Sequence, residues 1–429
     1  MDPHVVIAGG GFGGMSAVRA LRGCPVRVTI LDRHNYHVFQ PLLYQVATAG
    51  LSPGDIASPI RWMLRRQPGV RVLLAEAREV DAARKVVRLD SGELAYDFLV
   101  LATGANHAYF GHDEWEAWAP GLKTLDDALR MRRRVLMAFE EAERVDDPDA
   151  RRRLLTFLIV GGGPTGVELA GALAEIARHT LAHQFRSFDP ASARVILIEA
   201  GPRILTMYPE SLQQAALGSL RRLGVDVLLS TAVTNVGPSG VEAGGRHIEA
   251  GTVLWAAGIA ASGIARSLGV PLDRAGRVTV EPDLAVPGHP EIFAIGDLAA
   301  LHQDGTPLPG VAQVAIQMGR HAAKTICRTA AGLPREPFRY RDYGNMATIG
   351  RAAAIADFGW LRLSGWPAWM AWLFLHIMKL VGFRNRLGVL LQWAWAYFTY
   401  QRSVRLITGD EAESISTPPS CASPGAGRP

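Results

Sequence analysis

His4-Val5-Val6-Ile7-Ala8-Gly9-Gly10-Gly11-Phe12-Gly13-Gly14 opens the chain, and Phe157-Leu158-Ile159-Val160-Gly161-Gly162-Gly163-Pro164-Thr165-Gly166 repeats its form further on. Each is an apolar run of buried-strand character, a G-x-G-x-x-G turn and a helix-forming stretch, Met15 to Leu21 in the first copy and Val167 to Ala182 in the second. After the first turn a strand, Val26 to Leu31, ends on Asp32, 18 residues past Gly14. After the second, Arg194 to Ile198 ends on Glu199, 33 residues past Gly166, so this crossover carries an insertion over the less regular stretch His183 to Ala193. A pyrophosphate carries two negative charges, and residues without side chains let it reach the free N–H groups and positive dipole end of a helix start. Gly9 and Gly161 suit the tight turn, Gly11 and Gly163 the close approach, Gly14 and Gly166 the packing of helix on strand. One such turn is equally an ordinary strand–helix corner. Two, each followed in order by helix, strand and terminal acid, imply two dinucleotide-binding domains. An acid at the strand end accepts ribose hydroxyl protons and repels a 2′-phosphate, so Glu199 favours NADH over NADPH, with Arg203 near enough to soften that preference.

The fold class expected is α/β. Further apolar strands end in small residues: Phe98 to Gly104, through Ala102 and Thr103; Thr252 to Gly258, through Ala257; and Ile292 to Asp297, through Gly296. At 429 residues the chain exceeds the size of one hydrophobic core. The division expected is 1–120 with 281–335, then 121–280, a C-terminal region 336–409 and a disordered Ser/Pro/Gly-rich tail over 410–429. The charged stretch Glu140 to Arg153 reads as a solvated helix end and connector. A balance of 45 Lys+Arg against 40 Asp+Glu argues against nucleic acid as partner. No metal site is expected. The three cysteines, Cys24, Cys327 and Cys421, form no C-x-x-C pair, so neither a disulfide framework nor a redox-active pair beside a flavin is expected. The N-terminus enters a strand with no signal-peptide pattern, so export is not expected.

The order of Gly9 to Gly14, Leu101-Ala102-Thr103-Gly104, Gly161 to Gly166 and Ala294-Ile295-Gly296-Asp297 resembles the two-dinucleotide-binding-domain flavoproteins of the glutathione reductase type. Ala312-Gln313-Val314-Ala315-Ile316-Gln317-Met318-Gly319 resembles, more narrowly, the A-Q-x-A-x-Q-x-G signature of the type II NADH:quinone oxidoreductases. Gly162 to Gly171 and Asn35 to Gln45 look like the same family. The resemblance implies FAD held at Gly9, Gly11, Phe12, Gly13, Gly14, Asp32, Arg33, Ala102, Thr103, Gly104, Gly296, Asp297, Ala312 and Gln313. It implies NADH held at Gly161, Gly163, Pro164, Thr165, Gly166, Glu168, Glu199, Ala257 and Gly258. Gln313 and Gln317, four apart on one helix face, would present two uncharged amides to a quinone and the flavin edge. Glu168 would approach both rings and handle protons. Glu168, Gln313 and Gln317 are therefore the catalytic candidates. The activity implied is non-pumping transfer of hydride from NADH to FAD and of two electrons to a membrane quinone. Two rivals share the fold or the ligands: a reductase acting on ferredoxin or sulfide, and a non-catalytic FAD/NADH sensor.

A quinone user needs contact with lipid, and residues 358–409 supply a candidate. The span lacks Asp and Glu, holds six of the ten tryptophans, and carries Arg362, Lys379, Arg384, Arg386, Arg402 and Arg405. Trp366 to Leu375 and Leu387 to Tyr400 are each too short to span a bilayer. Two interfacial helices joined near Arg384-Asn385-Arg386, on the cytoplasmic face of the cell membrane, are expected, with aromatics at the headgroup boundary and cations toward anionic lipid. The same apolar helices would also serve a homodimer. His37, His107 and His376 read as packed or solvated rather than proton-carrying.

Overall fold

The structure, a computed structural model, describes residues 2–399, 401–402 and 404–408. The tail expected over 410–429 lies outside the described residues. Five helices matter most to the site: α1 (Phe12–Ala20), α2 (Pro164–Glu175), α3 (Ala312–Ala330), α4 (Trp366–Lys379) and α5 (Phe383–Thr399). The chain forms two compact units, one of Met1–Val38, Ala57–His107 and Ile259–Tyr343, the other of Phe39–Ile56, Ala108–Gly258 and Gly344–Pro429. Residues 39–56 and 108–120, counted with the first domain on sequence, thus lie in the second unit, and 259–280 in the first.

The first unit is built on a six-stranded sheet whose central strand, His4–Ala8, pairs in parallel with Arg27–Asp32 on one side (Val5 opposite Val28) and Phe98–Leu101 on the other (Val5 opposite Phe98). Helices cover parallel sheets on both faces, which is why Val5, Val6, Ile7 and Ala8 form an unbroken apolar run and all have 0% exposure. The second unit holds a four-stranded parallel sheet in the order Val225–Leu228, Arg194–Ile198, Thr156–Val160, Thr252–Trp255. The internal repeat is exact at the turn: Gly9 N–H donates to Leu31 O and Gly161 N–H to Ile198 O, both at 2.8 Å. The expected connector is the end of a long helix, Leu125–Arg144, followed by a short one, Pro148–Leu154.

The reading of the cysteines needs correction. Cys24, just past α1, and Cys327, in α3, are joined as a disulfide with Cα atoms 5.7 Å apart, across a sequence separation of 303. Spacing along the chain carried no sign of it, because the pairing arises from the packing of α3 on α1. That packing needs small residues: a Cβ on Gly319 would lie 2.2 Å from Gly13 O.

The C-terminal region adds a three-stranded antiparallel sheet that sequence reading did not anticipate, Asn345–Thr348, Ala354–Asp357 and Arg362–Gly365. The two short helices α4 and α5 are present, with the break at Leu380 to Gly382 rather than at 384–386. Among the described residues no helix is long and apolar enough to cross a membrane.

Candidate active site

In the first unit the glycine turn is shaped from both sides. A Cβ on Gly9, whose φ is +110°, would lie 2.3 Å from Ala102 O, and one on Gly14 would lie 1.8 Å from Gly9 O. A Cβ on Gly11 would meet nothing within 4 Å. Gly9 and Gly14 are thus required by the protein, whereas Gly11 leaves open space at the start of α1, as a bound pyrophosphate requires. Around this cradle the unit gathers Ala102 to Gly104, Gly296 and Ala315, the last two so close that a Cβ on Gly296 would lie 3.1 Å from the Ala315 Cβ. Asp297 follows in a short helical turn, partly exposed. Phe12 packs edge-on to His37 at 5.1 Å, and Arg33 is exposed just beyond Asp32. His37 is buried, donates from Nδ1 to Gly10 O at 2.9 Å, and burial lowers its pKa, so it is a neutral packing residue.

Asp32 has a role that sequence reading missed. Its Oδ2 accepts Gly10 N–H at 2.6 Å and its Oδ1 accepts His34 N–H at 2.7 Å. Glu199 does the same in the second unit, with Oε2 on Gly162 N–H at 2.6 Å and Oε1 on Gly201 N–H at 2.7 Å. Each acid therefore first ties down the middle glycine of its own turn, while lone pairs remain for ribose hydroxyls. Gly10 and Gly162 were not singled out on sequence, although the G-G-G triplets contained them.

The second cradle reproduces the first. A Cβ on Gly161 (φ +112°) would sit 2.5 Å from Ala256 O, one on Gly166 would sit 1.9 Å from Gly161 O, and one on Gly163 would meet nothing within 4 Å. Pro164 takes the first helical position, where its missing N–H costs nothing, and Thr165 beside it is exposed. Ala257 and Gly258 close the cradle at the end of the neighbouring strand, both partly exposed. Each cradle has what a dinucleotide needs, an open glycine at a helix start and an acid at the end of the next strand.

The two glutamines of α3 are not equivalent. Gln317 Nε2 donates to Arg341 O at 2.8 Å and its Oε1 accepts Arg341 N–H at 3.0 Å, so both ends of the amide hold the segment after α3. Gln313 is half-buried, with no side-chain hydrogen bond among the described residues. Part of the octapeptide is structural, since Ala315 and Gly319 allow the contact with α1 and Gln317 fastens residue 341.

Glu168, one turn into α2, accepts a backbone hydrogen bond from Thr348, and burial pushes its carboxyl up to about 8. At neutral pH it holds its proton. Thr348 Oγ1 is 2.9 Å from the Tyr44 hydroxyl, which accepts from Gln45 Nε2 at 3.0 Å, and Gln45 Oε1 accepts from Trp393 Nε1 at 2.7 Å. Burial, and then the charge of Glu168, raise the pKa of Tyr44. This chain borders a pocket with about 790 Å³ of empty space, part of it open solvent, whose walls include Tyr44, Gln45, Trp369, Trp372, Trp393 and Tyr397. Trp372 is buried, stacked on His376 at 4.3 Å, and His376 is pushed down to about 4 by burial. The tryptophans of the appendage thus divide, with Trp360, Trp366 and Trp395 exposed and Trp369, Trp372 and Trp393 facing the pocket. Sequence reading placed all six at a lipid boundary and singled out neither Tyr44, which the stretch Asn35 to Gln45 contained, nor Thr348, because only the fold brings residues 44, 168, 348 and 393 together.

Residues 3–319 match the Pyridine nucleotide-disulphide oxidoreductase family. The chain is 44% identical over 425 residues to the type II NADH:quinone oxidoreductase Ndh of Mycobacterium tuberculosis, covering 95% of this chain and 91% of that protein. It is 30% identical over 446 residues to the external mitochondrial NADH-ubiquinone oxidoreductase 2 of Saccharomyces cerevisiae, covering 92% and 81%. A solved structure of NDH2 from Plasmodium falciparum in complex with NADH superposes with a TM-score of 0.86 at 19% identity, covering 95% of this chain and all of that one, which establishes the shared fold. The chain belongs to the pyridine nucleotide-disulphide oxidoreductase family and, within it, to the type II NADH:quinone oxidoreductases.

Proposed function

We propose that this protein oxidises NADH and reduces a membrane quinone without pumping protons, using FAD held in the first cradle and NADH in the second. The observation that carries this reading is Glu168: a proton-holding acid on the helix of the NADH-side cradle, hydrogen-bonded by Thr348 and joined through it to a tryptophan-walled pocket. Bound FAD supplies the redox chemistry, taking hydride from NADH and releasing electrons to the acceptor. The chain supplies the rest. Gly11 and Gly163 admit the pyrophosphates, Asp32 and Glu199 hold the turns and offer acceptors to ribose, and Asp297 lies beside the first cradle. Making a quinol from NADH consumes one proton beyond the hydride, and Glu168 stores one where burial keeps it on the carboxyl. Gln313 is the amide free to meet the quinone or flavin edge, while Gln317 positions the segment beside it.

The exposed faces of α4 and α5 suit a bilayer surface. Trp366, Met370, Phe374 and Met378 recur every four residues on α4, and Leu387, Leu391, Trp395 and Phe398 follow one face of α5, all exposed. Peripheral attachment at the cytoplasmic face gives a lipid-dissolved quinone its way in.

Anaerobic NADH should bleach the flavin absorbance of the purified yellow protein, and menadione in lipid vesicles should restore it. NADPH should bleach it more slowly, given Glu199. A flavin reduced by NADH that no quinone reoxidises would defeat the acceptor assignment, and a protein that retains no flavin would defeat the whole reading.

A further inference from the structure

The pocket has a charged feature that the redox chemistry described above does not use. Glu175, at the end of α2, and Arg402, beyond α5, both line it. Arg402 Nη2 lies 3.1 Å from Glu175 Oε2, each side chain is only 12% exposed, and Arg402 Nη1 donates to Thr48 O at 2.6 Å. The other oxygen of Glu175 accepts the backbone N–H of Arg351. The chain after this contact is held as well: Arg405 Nε donates to Arg402 O at 2.9 Å and Arg405 Nη1 to Gln184 Oε1 at 2.6 Å. Sequence reading had offered Arg402 and Arg405 to anionic lipid, whereas the structure turns both inward.

A buried ion pair contributes little net stability, because desolvating both charges offsets their attraction. A guanidinium carries five N–H donors and stays charged. Glu175 and Thr48 take two, and the remaining three have no acceptor among the described residues. The result is an immobilised donor group, neutralised overall by Glu175, in a pocket walled by flat aromatic rings. A neutral planar ligand with acceptor oxygens on its ring matches both properties. Resting on the reading of the acceptor as a quinone, we propose that Arg402 anchors the quinone ring by donating a hydrogen bond to one of its carbonyl oxygens, and that Glu175 positions Arg402 for that contact. Arg402 is then a specificity-determining residue, selecting ring carbonyls, and Glu175 a positioning residue.

The test uses full-length, FAD-loaded enzyme in vesicles of one lipid composition, comparing wild type with Arg402→Met, Arg402→Lys and Glu175→Gln. Acceptors are menadione, which presents ring carbonyls, and ferricyanide, which has none. Arg402→Met should raise the KM for menadione about tenfold and lower the menadione-to-ferricyanide rate ratio. Arg402→Lys should recover part of the loss, and Glu175→Gln should fall between. Infrared difference spectra with carbonyl-labelled menadione should show the bound C=O stretch moving to higher frequency in Arg402→Met, a change that a merely structural clamp would not produce. If Arg402→Met does not fold, the same shift, smaller, is expected of Arg402→Lys. A menadione KM within twofold of wild type, an equal loss with both acceptors, or an unmoved carbonyl band would overturn the proposal. Wild-type enzyme that fails to reduce menadione would instead overturn the quinone reading on which it rests.

Discussion

At the scale of single residues, the glycines separate what the fold requires from what a ligand requires. Gly163→Ala puts a methyl where the protein has nothing within 4 Å, so the variant should fold and keep its flavin while its KM for NADH rises by an order of magnitude or more. Gly166→Ala would drive a Cβ to 1.9 Å from Gly161 O, and its melting temperature should fall whether or not NADH is present. Thermal melts and NADH titrations of the two proteins check the contrast. Glu168 gives a pH signature. Its carboxyl is raised from 4.5 to about 8, so between those values the folded chain keeps a proton that the unfolded chain has released. Stability must therefore fall as pH rises through that window and level off above it. Glu168→Gln removes the effect, and should exceed wild type in melting temperature by little at pH 5 and by more at pH 8.5, with a free-energy gap on the order of a few kcal/mol. A gap that does not change with pH would mean that the acid is not buried as assigned. Quinone reduction by wild type should also decline above about pH 8 as Glu168 loses its proton.

Among the elements, the pair α1 and α3 deserves the closest test. The helices run side by side from the cradle, touching at Gly13 and Gly319, and the disulfide joins Cys24, just past α1, to Cys327, in the last turn of α3. From Ala315 to Cys327 the helix rises about 18 Å, so the disulfide stands well away from the cradle and braces the packing of α3 on α1. Cys24→Ser should lower unfolding stability by roughly 2–4 kcal/mol, as closing a long loop in the unfolded chain predicts. A reducing agent should lower the melting temperature of wild type and leave that of Cys24→Ser unchanged. Equal melting temperatures for oxidised and reduced wild type would count against the link.

Over the whole molecule, the C-terminal region divides one composition between two faces. Its outward residues form apolar stripes, and its inward tryptophans and Arg402 build a pocket. The double variant Phe374→Glu, Phe398→Glu, with both positions more than two-thirds solvent-exposed at 68% and 80%, should fold normally and sediment less with anionic vesicles. If vesicle binding persists and the protein instead changes from dimer to monomer on a sizing column, the stripes are a subunit interface rather than a lipid face.

Local chemistry made the two cradles readable in advance. Glycine is demanded wherever backbone approaches backbone, strand period and helix start sit side by side in the chain, and the acid closing each βαβ unit stands at the end of the strand that follows the turn's helix. The two short helices of the appendage were likewise written in their apolar runs. What needed the folded molecule were contacts between residues far apart in sequence: Cys24 with Cys327, Gln317 with Arg341, Asp32 with its own glycine turn, and Glu168 with Thr348 and Tyr44. The inward or outward turn of the tryptophans after residue 358, and of Arg402 and Arg405, is of the same kind. Composition tells that an aromatic or a cation is present, but its facing is decided by the surface that packs against it, and that surface is assembled only when distant segments meet.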